Sequence, residues 1–208
     1  MRRQSSLRPP LRFLLWMGVL VGLLSTVAPL RADAIPYANV GTQAPVNLFT
    51  ATNTGPVWAY FYGSDAAYNS EIGLLVENVS THTVGLLNHI SFVGQSLDLG
   101  SAAAGDTLVF QLVVITTCDT WYSDPSLNSD DLNHTYATDF TGSGKTPVGT
   151  YIAFEDYRGG GDLDYNDYQF VATNVTRNAV PEPAALGLLI AGLATVAIEK
   201  RRARRAQA

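Results

Sequence analysis

The chain has 208 residues, with 13 Lys and Arg against 18 Asp and Glu and a net charge of −5. Ten of those bases sit at the two ends, so residues 35–179 hold only Lys145, Arg158 and Arg177 against fifteen acids, a local net charge of −12. Such a surface repels nucleic acid and anionic lipid and attracts cations, and a lone Cys118 excludes an internal disulfide.

The N-terminus carries Arg2, Arg3, Arg8 and Arg12, then a mostly apolar run from Phe13 to Leu24, then Ala32-Asp33-Ala34. A basic start, a short apolar stretch and an A-x-A site are the three parts of a secretory signal peptide. Residues 1–34 are therefore expected to be a signal peptide read by Sec-type export machinery, with Ala32 and Ala34 marking the cleavage site. The apolar run is short for a span of roughly 20 residues.

The middle, 35–179, has the length of one domain. Candidate strands are Val57–Tyr62, Glu71–Glu77, Ile90–Val93, Thr107–Thr116, Tyr151–Phe154 and Tyr168–Thr173, with 107–116 the most apolar. Clusters of Gly, Asn, Asp, Ser and Pro separate them, and no stretch keeps a helical period with caps. This pattern predicts an all-β fold, a single antiparallel β-sandwich of jelly-roll-like type. Asn174–Ala179 reads as a polar connector.

The chemistry gathers between Glu155 and Asp167, where five carboxylates and an Asn crowd into thirteen positions around Gly159, Gly160 and Gly161. Packed like charges repel, increasingly so as the site loses water. Arg158 supplies one positive charge, too little to balance them. Asp162, Asp164 and Asn166 alternate along one side of an extended loop, and Glu155, Asp156 and Asp167 can close from the flanks. Calcium takes six to eight oxygen ligands, which suits this supply; magnesium is stricter in geometry and ranks second. Zinc and copper favour His and Cys, absent from the turn. The expected cofactor is Ca2+, held by Glu155, Asp156, Asp162, Asp164, Asn166 and Asp167. An EF-hand is excluded, since Asp167 stands where that loop needs Gly and Thr173 where it needs Glu.

Ala153-Phe154-Glu155-Asp156, the Gly-Gly-Gly-Asp run and Asp164-Tyr165-Asn166-Asp167 resemble the hallmark of the bacterial domain-of-unknown-function family 4114. Tyr62–Tyr68 and Asn128–His134 fit it more loosely, so the likeness covers most of residues 55–175. The resemblance implies a β-rich domain of a secreted or surface protein with no established catalysis. Gln169 departs from it, being polar where the following strand usually runs apolar.

Other features read as structural. Thr141–Thr146 ends like a P-loop, but Asp139 stands where the first Gly belongs. His82, His89 and His134 are surface or packing residues, with His134 the one that could reach the acidic turn. Cys118 lacks an activating basic neighbour. The carboxylates come from one loop rather than across a cleft, which points to ligation and not to glycoside hydrolysis; the chain is not expected to be an enzyme. Trp58, Trp121, Tyr122 and Tyr157 either fill the core or form a sugar-stacking face.

The tail, 180–208, contains Pro181-Glu182-Pro183, an apolar run over 184–198, and Lys200, Arg201, Arg202, Arg204 and Arg205. As a helix the run spans about 22 Å at about 1.5 Å per residue, short of a hydrocarbon core of about 30 Å. Its basic end would stay on the cytoplasmic side. In this order the three features resemble the PEP-CTERM sorting signal of Gram-negative bacteria. The resemblance implies a short transmembrane helix at the inner membrane and cleavage by an exosortase near Pro181, Glu182 and Pro183. The reading that follows is an exported cell-surface or extracellular-matrix protein, calcium-binding and structural or adhesive. Its alternative is a carbohydrate-binding module that recognises exopolysaccharide.

Overall fold

The computed structural model describes residues 35–180; the expected signal peptide and its cleavage site, and the expected sorting motif with its apolar run, lie outside the described residues. Within them the chain is all-β, with one 3₁₀ turn at Pro125–Leu127. The strands are β1 (Asn47–Ala51), β2 (Gly55–Gly63), β3 (Ser70–Val76), β4 (Val79–Gly85), β5 (Ser96–Ala102) and β6 (Thr107–Val114). They continue as β7 (Asp119–Tyr122), β8 (Thr135–Phe140), β9 (Gly149–Phe154), β10 (Tyr168–Thr173) and β11 (Val175–Ala179).

Two antiparallel sheets form. One runs β11-β1-β6-β3-β4, with β7 also on β6, and the other runs β5-β2-β10-β9-β8. Side chains alternate across each strand, so Val57, Ala59 and Phe61 of β2 face Leu108, Phe110, Leu112 and Val114 of β6 in one shared core. Phe110 and Phe170, from opposite sheets, meet edge to face at 5.4 Å. The result is a β-sandwich, as the alternating pattern predicts.

The second sheet is covered on its outer face as well. Tyr151 and Ala153 of β9, Val171 of β10 and Tyr62 of β2 pack there with Tyr37, Ala44 and Tyr165. That double burial explains why β9 and β10 read as unbroken apolar runs rather than alternating ones. Gln169, the polar exception, is itself buried and donates its amide to the Asn166 carbonyl at 2.9 Å.

Two expectations fail. Ile90–Val93 is a turn and not a strand: the amides of Ile90 and Ser91 both donate to the Leu87 carbonyl, at 3.2 and 2.9 Å. Gly94 sits at φ 84°, and Ile90 and Phe92 remain 77 % and 63 % exposed. An apolar run without a sheet partner does not make a strand. Conversely, the polar segment after Asn174 is no connector but β11, paired with β1 from Asn47↔Ala179 to Ala51↔Val175. As an edge strand it needs only one neighbour and tolerates polar, charged residues such as Arg177.

Candidate metal centre

β9 and β10 are neighbours in register, with Phe154 opposite Tyr168, and the thirteen residues between them form the acidic loop. Gly159, Gly160 and Gly161 take φ of 86°, 83° and 56°, followed by Leu163 at 56° and Tyr165 at 55°. Left-handed backbone costs an L-residue roughly 1–2 kcal/mol, so something must hold Leu163 and Tyr165 there. Tyr165 is buried; its hydroxyl accepts from the Ala44 amide at 2.9 Å and donates to the Asn133 carbonyl at 3.0 Å. Its amide donates to Glu155 Oε1 at 2.5 Å. Gly161 is required by space as well as by φ, because a Cβ there would lie 2.7 Å from Glu155 Oε2.

The structure sorts the six expected ligands into groups. Glu155, Asp162 and Asp164 each bring one carboxylate oxygen within 4.8 Å of the others, the one such cluster among the described residues. Asn166 sits beside this triad, donating its backbone amide to Asp164 Oδ1 at 3.1 Å and its side-chain amide to Asp164 Oδ2. Asp156 and Asp167 stand outside the triad and face each other, their carboxyls in contact. The Asp156 amide donates to Asp167 Oδ2 at 2.9 Å, whereas Asp156 Oδ2 is buried with no hydrogen-bond partner.

Burial governs the electrostatics. It lifts Glu155 from 4.5 to about 8, against the Tyr165 amide that favours the anion, and the charges of Asp167, Asp162 and Asp164 add to the rise. Asp167 is pushed up to about 7, again chiefly by burial and then by Asp156. Burial likewise raises Asp156, while Asp164 rises through burial and the neighbouring Asp162 charge. Arg158, the loop's one basic residue, does not contribute even its single charge and is turned elsewhere. It pairs with Asp119 at 2.5 Å and lies 5.5 Å over the Trp121 ring. Of the three ion pairs among the described residues, none reaches the five loop carboxylates. Near neutral pH the loop must keep protons or take up cations. An oxygen-only donor set, half buried and multiply anionic, fits a hard divalent ion.

Residues far along the chain hold the loop, and of these the sequence pointed only His134 toward it. Asp130 accepts from the Gly159 amide at 2.9 Å and pairs with His134 Nε2 at 3.1 Å. His134 is fully buried, its Nδ1 3.2 Å from the Glu155 carbonyl, so it supports the loop backbone rather than the triad. It stacks on Trp121 with centroids 4.0 Å apart, and Trp121 Nε1 donates to the Asp156 carbonyl at 3.0 Å. Burial acts to raise the Asp130 pKa, but hydrogen bonds from Gly159, His134 and Leu132 prevail and the pKa is lowered. Trp121 is wholly buried, which removes it from any sugar-stacking face, while Tyr157 is 55 % exposed and stacks on Tyr68 at 6.2 Å. Thr141–Thr146 forms a small turn closed by a Ser143–Thr146 bridge.

Residues 99–174, from β5 to the end of β10, match the family model described as "Domain of unknown function (DUF4114)". The match contains the whole acidic loop and its supports Trp121, Asp130 and His134, but not the upstream Tyr62–Tyr68 segment. No curated protein matches the chain.

Proposed function

We propose that the chain is an exported β-sandwich of the cell surface or extracellular matrix that binds calcium at the β9–β10 loop and serves a structural or adhesive role. One observation carries the calcium reading: Glu155, Asp162 and Asp164 converge within 4.8 Å, and no cationic side chain pairs with them among the described residues. A divalent ion there would relieve the repulsion and tie the glycine-rich loop to β9. Binding to the folded state adds RT ln(1 + [L]/Kd), about 2.7 kcal/mol at one hundred times Kd. Extracellular calcium sites as weak as about 10⁻⁴–10⁻³ M still serve. Chelation is expected to lower Tm, and Asp164→Ala to abolish that response. Superimposable melting curves with and without chelator would refute the reading.

Export rests on the termini. Arg-rich residues before an apolar run and Ala32-Asp33-Ala34 support signal-peptide processing by Sec-type machinery. Pro181-Glu182-Pro183 with the apolar 184–198 run and its basic end supports PEP-CTERM sorting, passage through the inner membrane and cleavage by an exosortase. Replacing Pro181 and Pro183 by Ala should leave uncut precursor, read by mass spectrometry of the membrane fraction; normal release would count against it.

A second reading, recognition of exopolysaccharide with calcium orienting the contact loop, draws on the exposed Tyr157 and its partner Tyr68 at the loop's edge. Tyr157→Ala should then weaken retention on matrix polysaccharide without altering the melting curve. The carboxylates' origin in one loop favours a binding module over an enzyme on either reading.

A further inference from the structure

The six expected ligands do not close around one point. The triad has three carboxylates, Asn166 and water available to it, while Asp156 and Asp167 confront each other outside it. Asp156 is 5 % exposed, and its Oδ2 is buried with no hydrogen-bond partner. A carboxylate oxygen buried without a donor costs on the order of 1–3 kcal/mol or more, and the Asp156 side chain is in contact with a second carboxyl, that of Asp167. Asp167 is already held through its Oδ2 by the Asp156 amide, so the two residues are joined by backbone as well as by their carboxyls. The Trp121 indole pins the Asp156 carbonyl, and the Ser64 hydroxyl donates to the Asp167 carbonyl at 2.6 Å. These contacts fix the backbone under both acids, so the pair cannot simply swing apart.

The charge balance points the same way. Five carboxylates surround the loop, and Arg158, its one basic residue, is committed to Asp119. With all five ionised, one divalent ion at the triad would leave a net charge of about −3, with Asp156 and Asp167, the two carboxyls outside it, still in contact, and like charges in contact repel.

We infer that Asp156 and Asp167 hold a second divalent cation, separate from the one at Glu155, Asp162 and Asp164. This rests on the reading of the loop as a calcium site. The pair joins the residue after Glu155 to the one before β10, while the triad draws Asp162 and Asp164 back to Glu155 at the end of β9. The second ion would therefore clamp the two strand ends, and the first would shape the glycine-rich turn. Oxygen donors and the lack of His or Cys set the class: a hard divalent ion, calcium before magnesium.

The test is calcium equilibrium dialysis on the full chain in detergent, with terbium luminescence as a second readout. Two ions per chain are expected for the unaltered protein. Asp156→Asn should reduce this to one, because its amide can donate directly to Asp167 and fill the gap that the ion occupies. Asp167→Asn should do the same, and far-ultraviolet circular dichroism would show whether either variant keeps the fold. Terbium emission excited through tryptophan should fall in Asp156→Asn, since Trp121 contacts that residue's carbonyl, and persist in Asp164→Asn. A single ion bound, lost in Asp164→Asn and unaffected by Asp156→Asn, would overturn the second site while leaving the first. Loss of all binding in a folded Asp156→Asn would mean one shared site and overturn the separation. No ion bound by the unaltered protein would defeat the calcium reading itself.

Discussion

Two connections in this sandwich do the same topological task by different means. β3 turns into β4 through Glu77 and Asn78 alone, both left-handed at φ 50° and 61°, with Val76 opposite Val79. Consecutive left-handed residues give the two-residue turn whose twist matches the strands it joins. β9 and β10 are equally adjacent, with Phe154 opposite Tyr168, yet thirteen residues separate them. Closing a loop of that length adds little entropy cost over a short one, but neither does it add stability. The eleven additional residues include buried acids, left-handed Leu163 and Tyr165, and an orphaned carboxylate oxygen. A connection that needs two residues and uses thirteen, each at some local expense, is specified by something other than connectivity.

The comparison is broken most forcefully by pH. In the folded protein Glu155 keeps its proton up to about 8, whereas in the unfolded chain it loses it near 4.5. Its contribution to stability is thus complete below about pH 4.5 and is lost as pH rises through that window to about 8. Asp167, raised to about 7, behaves alike. With chelator present, the unfolding free energy should therefore fall between about pH 5 and 8 by an amount on the order of 2–3 kcal/mol, and Tm with it. Calcium should flatten the slope, and Glu155→Gln should flatten it without calcium. A metal-free protein whose melting is indifferent to pH in this range would place the carboxylates in water, and the loop would then be as ordinary as the β3–β4 turn.

Much of the architecture could be read from residue order because alternation and apolar runs report on burial directly. Val57–Tyr62, Thr107–Thr116 and Tyr168–Thr173 are strands because each places side chains into the shared core. β11 and β4 escaped notice since edge strands are held by backbone pairing to one neighbour, and backbone pairing leaves little trace in composition. Ile90–Val93 misled for the opposite reason, having the side chains of a strand but no partner. The acidic loop was visible as a charge density that water or a cation must offset. Its division into a triad and a pair was not, because that depends on which way each carboxylate turns. His134 was legible as a residue that could reach the loop, and it does so at the Glu155 carbonyl; Asp130 and Trp121 could not be linked to it, since the fold brings them across more than twenty residues to Gly159 and Asp156.

One substitution in each connection sharpens the contrast. Gly161→Ala puts an L-residue at φ 56° with its Cβ 2.7 Å from Glu155 Oε2. The backbone term is roughly 1–2 kcal/mol, and the carboxylate it displaces belongs to the triad, so the calcium-dependent gain in Tm should shrink together with basal stability. Asn78→Gly makes the milder change, exchanging one residue that tolerates left-handed backbone for another at an exposed turn. Its effect should stay within about 0.5 kcal/mol and be the same with calcium or chelator. If instead Gly161→Ala were as silent as Asn78→Gly, the glycine would be filling space in a solvated loop, and the tight approach of Glu155 to the turn would have no bearing on how an ion is held.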